Sequence, residues 1–292
     1  MPQNQIMRLL FAFLFLLVMV NVDAQIDHYI NFITYNIRYD NPNDGPNAWP
    51  ERKEAIVKQI IQYRPDFLGI QEGLEHQVKF LDSNLVNLNY IGVGRNEGHS
   101  NDKGEYSALF YDVEIFTLLI GNTFWLSPTP KTYSVGWDAA LPRICTYGLF
   151  EEKSSGRKFW VFNTHFDHKG ETARLTARLA SAKLILERIH ALNTQNLPVI
   201  LMGDLNDTPE TETIQILKKE LEDTYSDNPA IAFGPHGTFN GFDPNHPLDK
   251  RIDYIFSKGF EIQTVWHIDD RRTDNYFYSD HLPILLVSKL HN

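Results

Sequence analysis

Apolar positions along the chain fall into short β-branched and aromatic runs bounded by turn residues. Ile30 to Tyr35, Phe67 to Ile70, Tyr106 to Tyr111, Ile115 to Leu119 and Ile144 to Phe150 each read as a strand. So do Lys158 to Asn163, Val199 to Met202, Tyr254 to Phe256, Glu261 to Trp266 and Ile284 to Val287. Helical spacing is rarer. Pro50 suits the first turn of a helix carrying Ala55, Ile56, Ile60 and Ile61. Leu74, Val78, Leu81, Leu85 and Leu88 recur at steps of three or four. The longest helical stretch runs from Glu171 to Leu192, with Ala173, Ala177, Ala180, Leu184 and Leu192 assigned to one side. Pro209 precedes a short one from Glu210 to Leu217. Few helices among many strands predict an α/β protein of two packed sheets with helices outside. Strict β-α alternation is absent, which argues against a doubly wound or barrel fold.

Polar residues cluster where the apolar runs end. Asn36 ends the first run, and Glu72 follows Phe67 to Gln71. His165 follows Val161 to Thr164, with Asp167 and His168 just after it. Asp204 and Asn206 follow Val199 to Met202, Asp253 precedes Tyr254, and Asp280 and His281 precede Leu282 to Val287. Carboxylates and imidazoles at buried strand ends lose solvation unless they are paired or bind a metal, so their accumulation points to a built site. Glu72, Asn36 and Asp280 are the oxygen donors that a hard divalent cation such as Mg²⁺ or Mn²⁺ takes. Asp204 can orient or deprotonate a water. His165, His281 and Asn206 can donate to charge developing on a phosphoryl group. Asp253 can stand behind His281 and fix its tautomer. Arg38 and Arg143 are candidate phosphate contacts, His168 a candidate pocket residue, and Trp49 a candidate face for a sugar or base.

Composition narrows the setting. A net charge of −10 argues against a protein that coats nucleic acid, but leaves room for a small anionic phosphoester held in one pocket. Cys145 is the only cysteine, so no disulfide forms within the chain and stability comes from packing. Leu9 to Val20 is an apolar run after Arg8, too short for a comfortable membrane span, and Val22-Asp23-Ala24 offers small residues for cleavage. Residues 1–24 are therefore expected to be a signal peptide and 25–292 a single domain. The mature protein is expected to be periplasmic or secreted, with no transmembrane anchor.

Six blocks occur in order: Tyr35-Asn36, Gln71-Glu72, Asn163-Thr164-His165, Gly203-Asp204-Leu205-Asn206, Arg251-Ile252-Asp253-Tyr254 and Ser279-Asp280-His281-Leu282-Pro283. In this the chain resembles the endonuclease/exonuclease/phosphatase superfamily of DNase I-like phosphoesterases, and within it an exported bacterial branch. The resemblance implies a four-layer α/β/β/α sandwich of two mainly antiparallel sheets with outer helices. It places Asn36 and Glu72 at metal-binding positions, Asp204 at the water-activating position with Asn206 as its neighbour, Asp253 and His281 as a pair with the acidic Asp280 next to it, and His165 against phosphate. The expected activity is metal-dependent hydrolysis of a phosphodiester. The alternatives are a phospholipid head-group phosphodiesterase of sphingomyelinase type, or a non-catalytic binding module on the same fold.

Overall fold

The computed structural model describes residues 28–169 and 174–291, so the expected signal peptide lies outside the described residues. In chain order it contains β1 (Ile30–Asn36), a 3-10 segment (Pro42–Asn47), α1 (Trp49–Tyr63), β2 (Phe67–Gln71), α2 (Glu75–Asn84), β3 (Leu88–Ile91), β4 (Leu109–Asp112) and β5 (Phe116–Trp125). Next come β6 (Ile144–Glu152), β7 (Lys158–His165), a π-helical turn (Arg174–Arg178) that runs into α3 (Leu179–Leu192), β8 (Val199–Asp204) and α4 (Glu212–Lys218). The order ends with β9 (Glu222–Asp223), β10 (Ala232–Phe233), β11 (Asp253–Lys258), β12 (Phe260–His267) and β13 (Ile284–Leu290).

The strands form a seven-stranded sheet, β10-β12-β13-β1-β2-β4-β3, and a six-stranded sheet, β5-β6-β7-β8-β11-β9. Among the described residues only β1/β2, β7/β8 and β10/β12 pair in parallel, so both sheets are mainly antiparallel. Side chains alternate across each strand. Phe32, Phe67, Phe159, Val161, Ile200, Met202, Ile284 and Leu286 meet between the sheets. The Phe32 and Phe67 rings stack at 5.1 Å, and Phe67 meets Phe159 edge-on at 5.4 Å. Burying each such side chain contributes about 1.5–3 kcal/mol. Alternate residues face outward. Ile33, Tyr35, Leu68 and Ile70 pack with Ile56, Ile60, Val78 and Leu81 of α1 and α2. Phe162, Leu201 and Phe256 pack with Ile185, Ile189, Ile214 and Leu217 of α3 and α4. The four-layer α/β/β/α sandwich follows from these three contact layers.

Several local expectations shift. The run from Leu74 does not stay helical to Leu88: α2 stops at Asn84, and Leu88 opens β3. Isolated apolar residues at steps of three or four cannot tell a helix end from a following edge strand. Ile61 lies on the solvent side of α1 rather than on its buried stripe. In α3 the buried stripe is Ala182, Ile185, Leu186 and Ile189, one step round from the alanine-rich side assigned from sequence, because the larger side chains bury more area. Residues 170–173 of that stretch lie outside the described residues.

Candidate active site

Strand register brings the site together. In the parallel β7/β8 pair His165 lies opposite Asp204, and in the antiparallel β8/β11 pair Asp253 lies opposite Asp204. These three inner-facing residues sit where the apolar layer between the sheets ends. Asn36, at the matching end of β1, bridges the sheets: its Nδ2 donates to Asp204 Oδ2 at 3.0 Å and to Glu72 Oε1 at 3.2 Å. The backbone N–H of Asn206 donates to Asp204 Oδ1 at 2.9 Å. Gly203 has φ +147°, and a Cβ there would lie 2.0 Å from the Thr164 carbonyl oxygen, so only glycine lets β8 turn Asp204 inward beside β7.

The loop after Tyr278 is anchored from both sides. Ser279 Oγ donates to the Asn36 carbonyl at 2.7 Å, and the N–H groups of Asn240 and Gly241 donate to the Asp280 carbonyl at 2.8 and 3.1 Å. Thr238 Oγ1 accepts from the N–H groups of Ile252 and Asp253, both at 3.1 Å. This fixes His281 with Nδ1 2.8 Å from Asp253 Oδ2 and Nε2 3.8 Å from Asp204 Oδ2. Arg38, Glu72 and Asn206 at the site all adopt positive φ, at +56°, +62° and +50°. For a non-glycine residue that conformation costs roughly 1–2 kcal/mol. At Glu72 it is offset by hydrogen bonds from Asn36 Nδ2 and from the Tyr39 N–H, the latter at 3.1 Å to Oε2.

Electrostatics divides the titrating groups. Burial pushes the Asp204 carboxyl up to about 7; the charge of Asp253 adds to this, while His281 and the Asn36 and Asn206 hydrogen bonds oppose it. Burial alone would lower the His281 imidazole, but Asp253 and Asp204 hold it well above the ordinary histidine value. Burial, with Arg143 and Arg95 adding, holds His165 well below it. At neutral pH His281 is thus a cationic donor and His165 a neutral ring. Asn206 Nδ2 donates to the Phe166 carbonyl at 3.1 Å and lies 3.1 Å from His165 Nε2. Nε2 therefore accepts, and the ring proton sits on Nδ1. In this arrangement the His165 donor is Nδ1 rather than the Nε2 that faces Asp204, and the cationic His281 carries a donor at Nε2.

The site opens into a cavity of about 680 Å³. Its reacting wall carries Glu72, His165, Asp204, Asn206, Asp280 and His281, with Arg38 and Tyr39 at one edge. A second wall carries Arg95, Glu105, Leu141, Arg143 and His168, and a third Phe239, Lys250 and Ile252. A separate groove of about 400 Å³ along Ile60, Pro65, Leu85 and Val86 lies apart from these groups.

Of the residues singled out from sequence, Arg38, Glu72, Arg143, His165, His168, Asp204, Asn206, Asp280 and His281 line the cavity, while Asn36 and Asp253 are buried directly behind it. Trp49 is the correction. It is 3 % exposed, packed edge-on against Phe80 at 5.9 Å with the Arg52 guanidinium over its ring, and cannot meet a substrate. Pro50 marked the start of α1, but nothing local showed that the Trp49 ring before it turns inward onto Phe80. Arg95 and Glu105, which bracket a loop rich in Gly, Asn, Asp and Ser, and also Lys250 and Phe239 line the cavity without having been singled out individually from sequence.

The donor set fits a hard divalent cation. Glu72, Asp280 and the Asn36 amide supply oxygens, and each Glu72 oxygen accepts a single hydrogen bond, leaving a lone pair. Burial raises the Asp280 carboxyl, and the charge of Glu72 adds to the rise against His281 and Arg38, so a bound cation would relieve a standing repulsion. The Arg38 guanidinium now sits nearby, with Nη1 3.6 Å from Asp280 and 4.0 Å from Glu72. Asp204, Asp253 and His281 also lie close enough to hold an ion, and His281, kept protonated by the two carboxylates, would release a proton on doing so.

A family model described as the Endonuclease/Exonuclease/phosphatase family matches residues 33–281. An endonuclease/exonuclease/phosphatase family protein from Bacteroides thetaiotaomicron is similar at 34 % identity and TM-score 0.82, over 91 % of this chain and 99 % of that one. A mannosyl-6-phosphatase from the same organism is similar at 36 % identity and TM-score 0.81, over 89 % and 99 %. An uncharacterised protein of Acanthamoeba polyphaga mimivirus shares 27 % identity over 268 residues, 82 % of this chain and 91 % of the viral one. With its sheets, its strand-end carboxylates and these likenesses in agreement, the chain belongs to the endonuclease/exonuclease/phosphatase family, the hydrolases that act on phosphoester bonds.

Proposed function

We propose that this chain is a divalent-metal-dependent phosphoester hydrolase whose preferred substrate is a phosphate monoester of a small sugar. The observation that carries the reading is the Asp204 carboxylate, raised to about 7 and set between a cationic His281 and a neutral His165 at the floor of the cavity. A carboxylate tuned to that range accepts a proton from water near neutral pH. Water oriented by Asp204 attacks phosphorus in line with the leaving oxygen. His281 Nε2–H donates to a phosphoryl oxygen as charge builds there, and Asp253 stabilises the imidazolium. Asn36 and the Asn206 N–H keep the Asp204 carboxylate in its working orientation. Enzymes of this family generally depend on a divalent metal. Glu72, Asp280 and Asn36 would hold Mg²⁺ or Mn²⁺ here, which supplies charge neutralisation for the phosphoryl and leaving-group oxygens.

The sequence alone favoured a diester. The likeness to a mannosyl-6-phosphatase at 36 % identity favours the monoester. The test compares a chromogenic phosphate monoester, the matching diester and mannose 6-phosphate, with each metal and with chelator, beside Asp204→Ala. Monoester turnover that needs metal and falls at least about a hundredfold in the variant supports the proposal. Faster turnover of the diester overturns the monoester preference, and full activity in chelator overturns the metal. Export is proposed from the Leu9 to Val20 run; recovery of a mature chain that still begins at Met1 would refute it.

A further inference from the structure

We propose that Glu105, with Arg95 and Arg143 on either side, is the hydroxyl-recognising wall of the cavity and selects esters of a neutral polyol. The proposal rests on the phosphoester-hydrolase reading above and names what would decide its specificity. Arg95 and Glu105 bracket the loop of residues 96–104, and their backbones pair through the Arg95 N–H and the Glu105 carbonyl at 2.9 Å. Trp125 Nε1–H donates to the Arg95 carbonyl at 2.8 Å, which ties the base of that loop to β5. Both side chains are therefore presented from fixed backbone rather than from the loop tip.

The chemistry of the wall is mixed. Glu105 Oε2 accepts from Arg95 Nη1 at 2.7 Å, with Arg143 Nη1 at 3.9 Å. Among the described residues no contact involves Oε1, so the carboxylate keeps an acceptor in the cavity. Arg143 also reaches His168 Nδ1 at 2.8 Å and lies 3.5 Å from Asp167 Oδ1. Two guanidiniums thus face two carboxylates, a near balance of charge. A wall meant for a second phosphate would not place a carboxylate in its centre, since an anion is repelled there. A sugar hydroxyl both donates and accepts, and matches a carboxylate flanked by guanidinium N–H groups. Leu141 beside them offers an apolar surface for ring C–H groups.

Location supports the same conclusion. The His165 ring separates this wall from the reacting groups, with Nδ1 3.9 Å from Glu105 Oε2 and Nε2 3.4 Å from Asp204 Oδ2. A group held on Glu105 therefore lies one imidazole away from the phosphate, where the leaving group's hydroxyls must sit. The competing explanation is that the Arg95–Glu105 pair is only a clasp for the loop.

The deciding measurement is a specificity ratio: kcat/KM for gluco-, manno- and galacto-hexose 6-phosphates divided by kcat/KM for phenyl phosphate. It is taken for the wild type, Glu105→Gln and Arg143→Lys, with thermal midpoints recorded alongside. The ratio for at least one hexose ester is expected to fall at least about tenfold in Glu105→Gln, mainly through KM, as expected when a charged hydrogen bond to a substrate hydroxyl is lost. Arg143→Lys should lower the same ratio, which keeps the test open if Glu105→Gln does not fold. Proportional losses on both substrates, or an unchanged ratio, would identify a clasp and overturn the proposal. A wild type active on phenyl phosphate with no preference for any hexose ester also overturns it and leaves the hydrolase reading standing. A wild type inactive on all of them removes both.

Discussion

Asp204→Asn should abolish turnover and yet stabilise the metal-free protein above neutral pH. Asp204 is 1 % exposed, and its carboxyl is raised from 3.8 to about 7. At ~1.36 kcal/mol per pKa unit, ionising it in the folded protein costs on the order of 4 kcal/mol relative to the unfolded chain. The sign follows from proton uptake. Below about pH 4 the group is protonated in both states and the cost is absent. Between about pH 4 and 7 the folded state binds more protons than the unfolded state, so stability falls as pH rises; above about pH 7 the full cost is present. Asparagine never ionises and escapes this cost. Its amide replaces one acceptor, however, and either the Asn206 N–H or Asn36 Nδ2 loses its partner, a loss of about 1–2 kcal/mol. His281 also loses an attracting charge. The net gain near pH 8 is then about 1–3 kcal/mol, a rise in Tm of a few degrees to about ten. Thermal melts of the wild type and variant in chelator, from about pH 4 to pH 9, read this directly. A difference between the two proteins that does not change with pH would refute the assignment of Asp204 as the strained carboxylate.

Three further outcomes test separate parts of the structure. Asp253→Asn removes the carboxylate that keeps His281 protonated, so the alkaline limb of the kcat/KM profile should move to lower pH; an unmoved limb would mean that another group holds the proton. Arg251 and Asp223 are each 1 % exposed and doubly bonded at 2.8 and 2.7 Å, so Arg251→Ala should cost about 3–5 kcal/mol in urea unfolding by leaving a buried carboxylate unpaired. A cost below about 1 kcal/mol would mean that solvent reaches Asp223. Trp49→Ala should lose about 3–5 kcal/mol of stability with KM unchanged. A raised KM at full stability would return Trp49 to the substrate.

What was legible in the sequence depended on distance along the chain. The inner-facing ends of β1, β7, β8 and β11 could be read, because a carboxylate or imidazole directly after an apolar run stands out locally. Pairing Asp253 with His281 needed only chemistry, and the 2.8 Å contact bears it out. Long-range consequences could not be read. Trp49 sits directly before Pro50 at the start of α1, yet nothing local showed that its ring turns onto Phe80. Arg95 and Glu105 carry no local signal, since a charged residue beside a polar loop is usually a surface residue. Only the ladder that brings the two ends of that loop together makes them face a cavity. The π-turn before α3 was likewise invisible, because periodicity fixes which residues are apolar but not where the helical hydrogen bonding changes.

The space between the sheets changes from apolar to charged through an intermediate tier of neutral polar residues. Thr34 and Asn163 lie one step below Asn36 and His165, Gln71 stands beside Asn36 on β2, and all three are buried. Gln71 Nε2 donates to Asn163 Oδ1 at 2.7 Å and to Thr34 Oγ1 at 3.1 Å, and Asn163 Nδ2 donates to the carbonyls of Ile70 and Ala108, both at 2.9 Å. Gly69 makes room for this: a Cβ there would lie 2.7 Å from the Asn163 side chain. Neutral amides lose less on burial than charges, and Gln71 and Asn163 bond across the two sheets, although Gln71 Oε1 is buried without a partner. If Asp204 stood directly on Phe32 and Val161, its carboxylate would have hydrocarbon on one side and would protonate rather than stay available as a base. Asp204 is instead held by Asn36 Nδ2 and the Asn206 N–H, which together with His281 oppose the effect of burial and leave it raised only to about 7, where a proton can be taken up and released near neutral pH. The neutral donors of Asn36 and Asn206 are thus as much a condition of its chemistry as the charged residues that line the site.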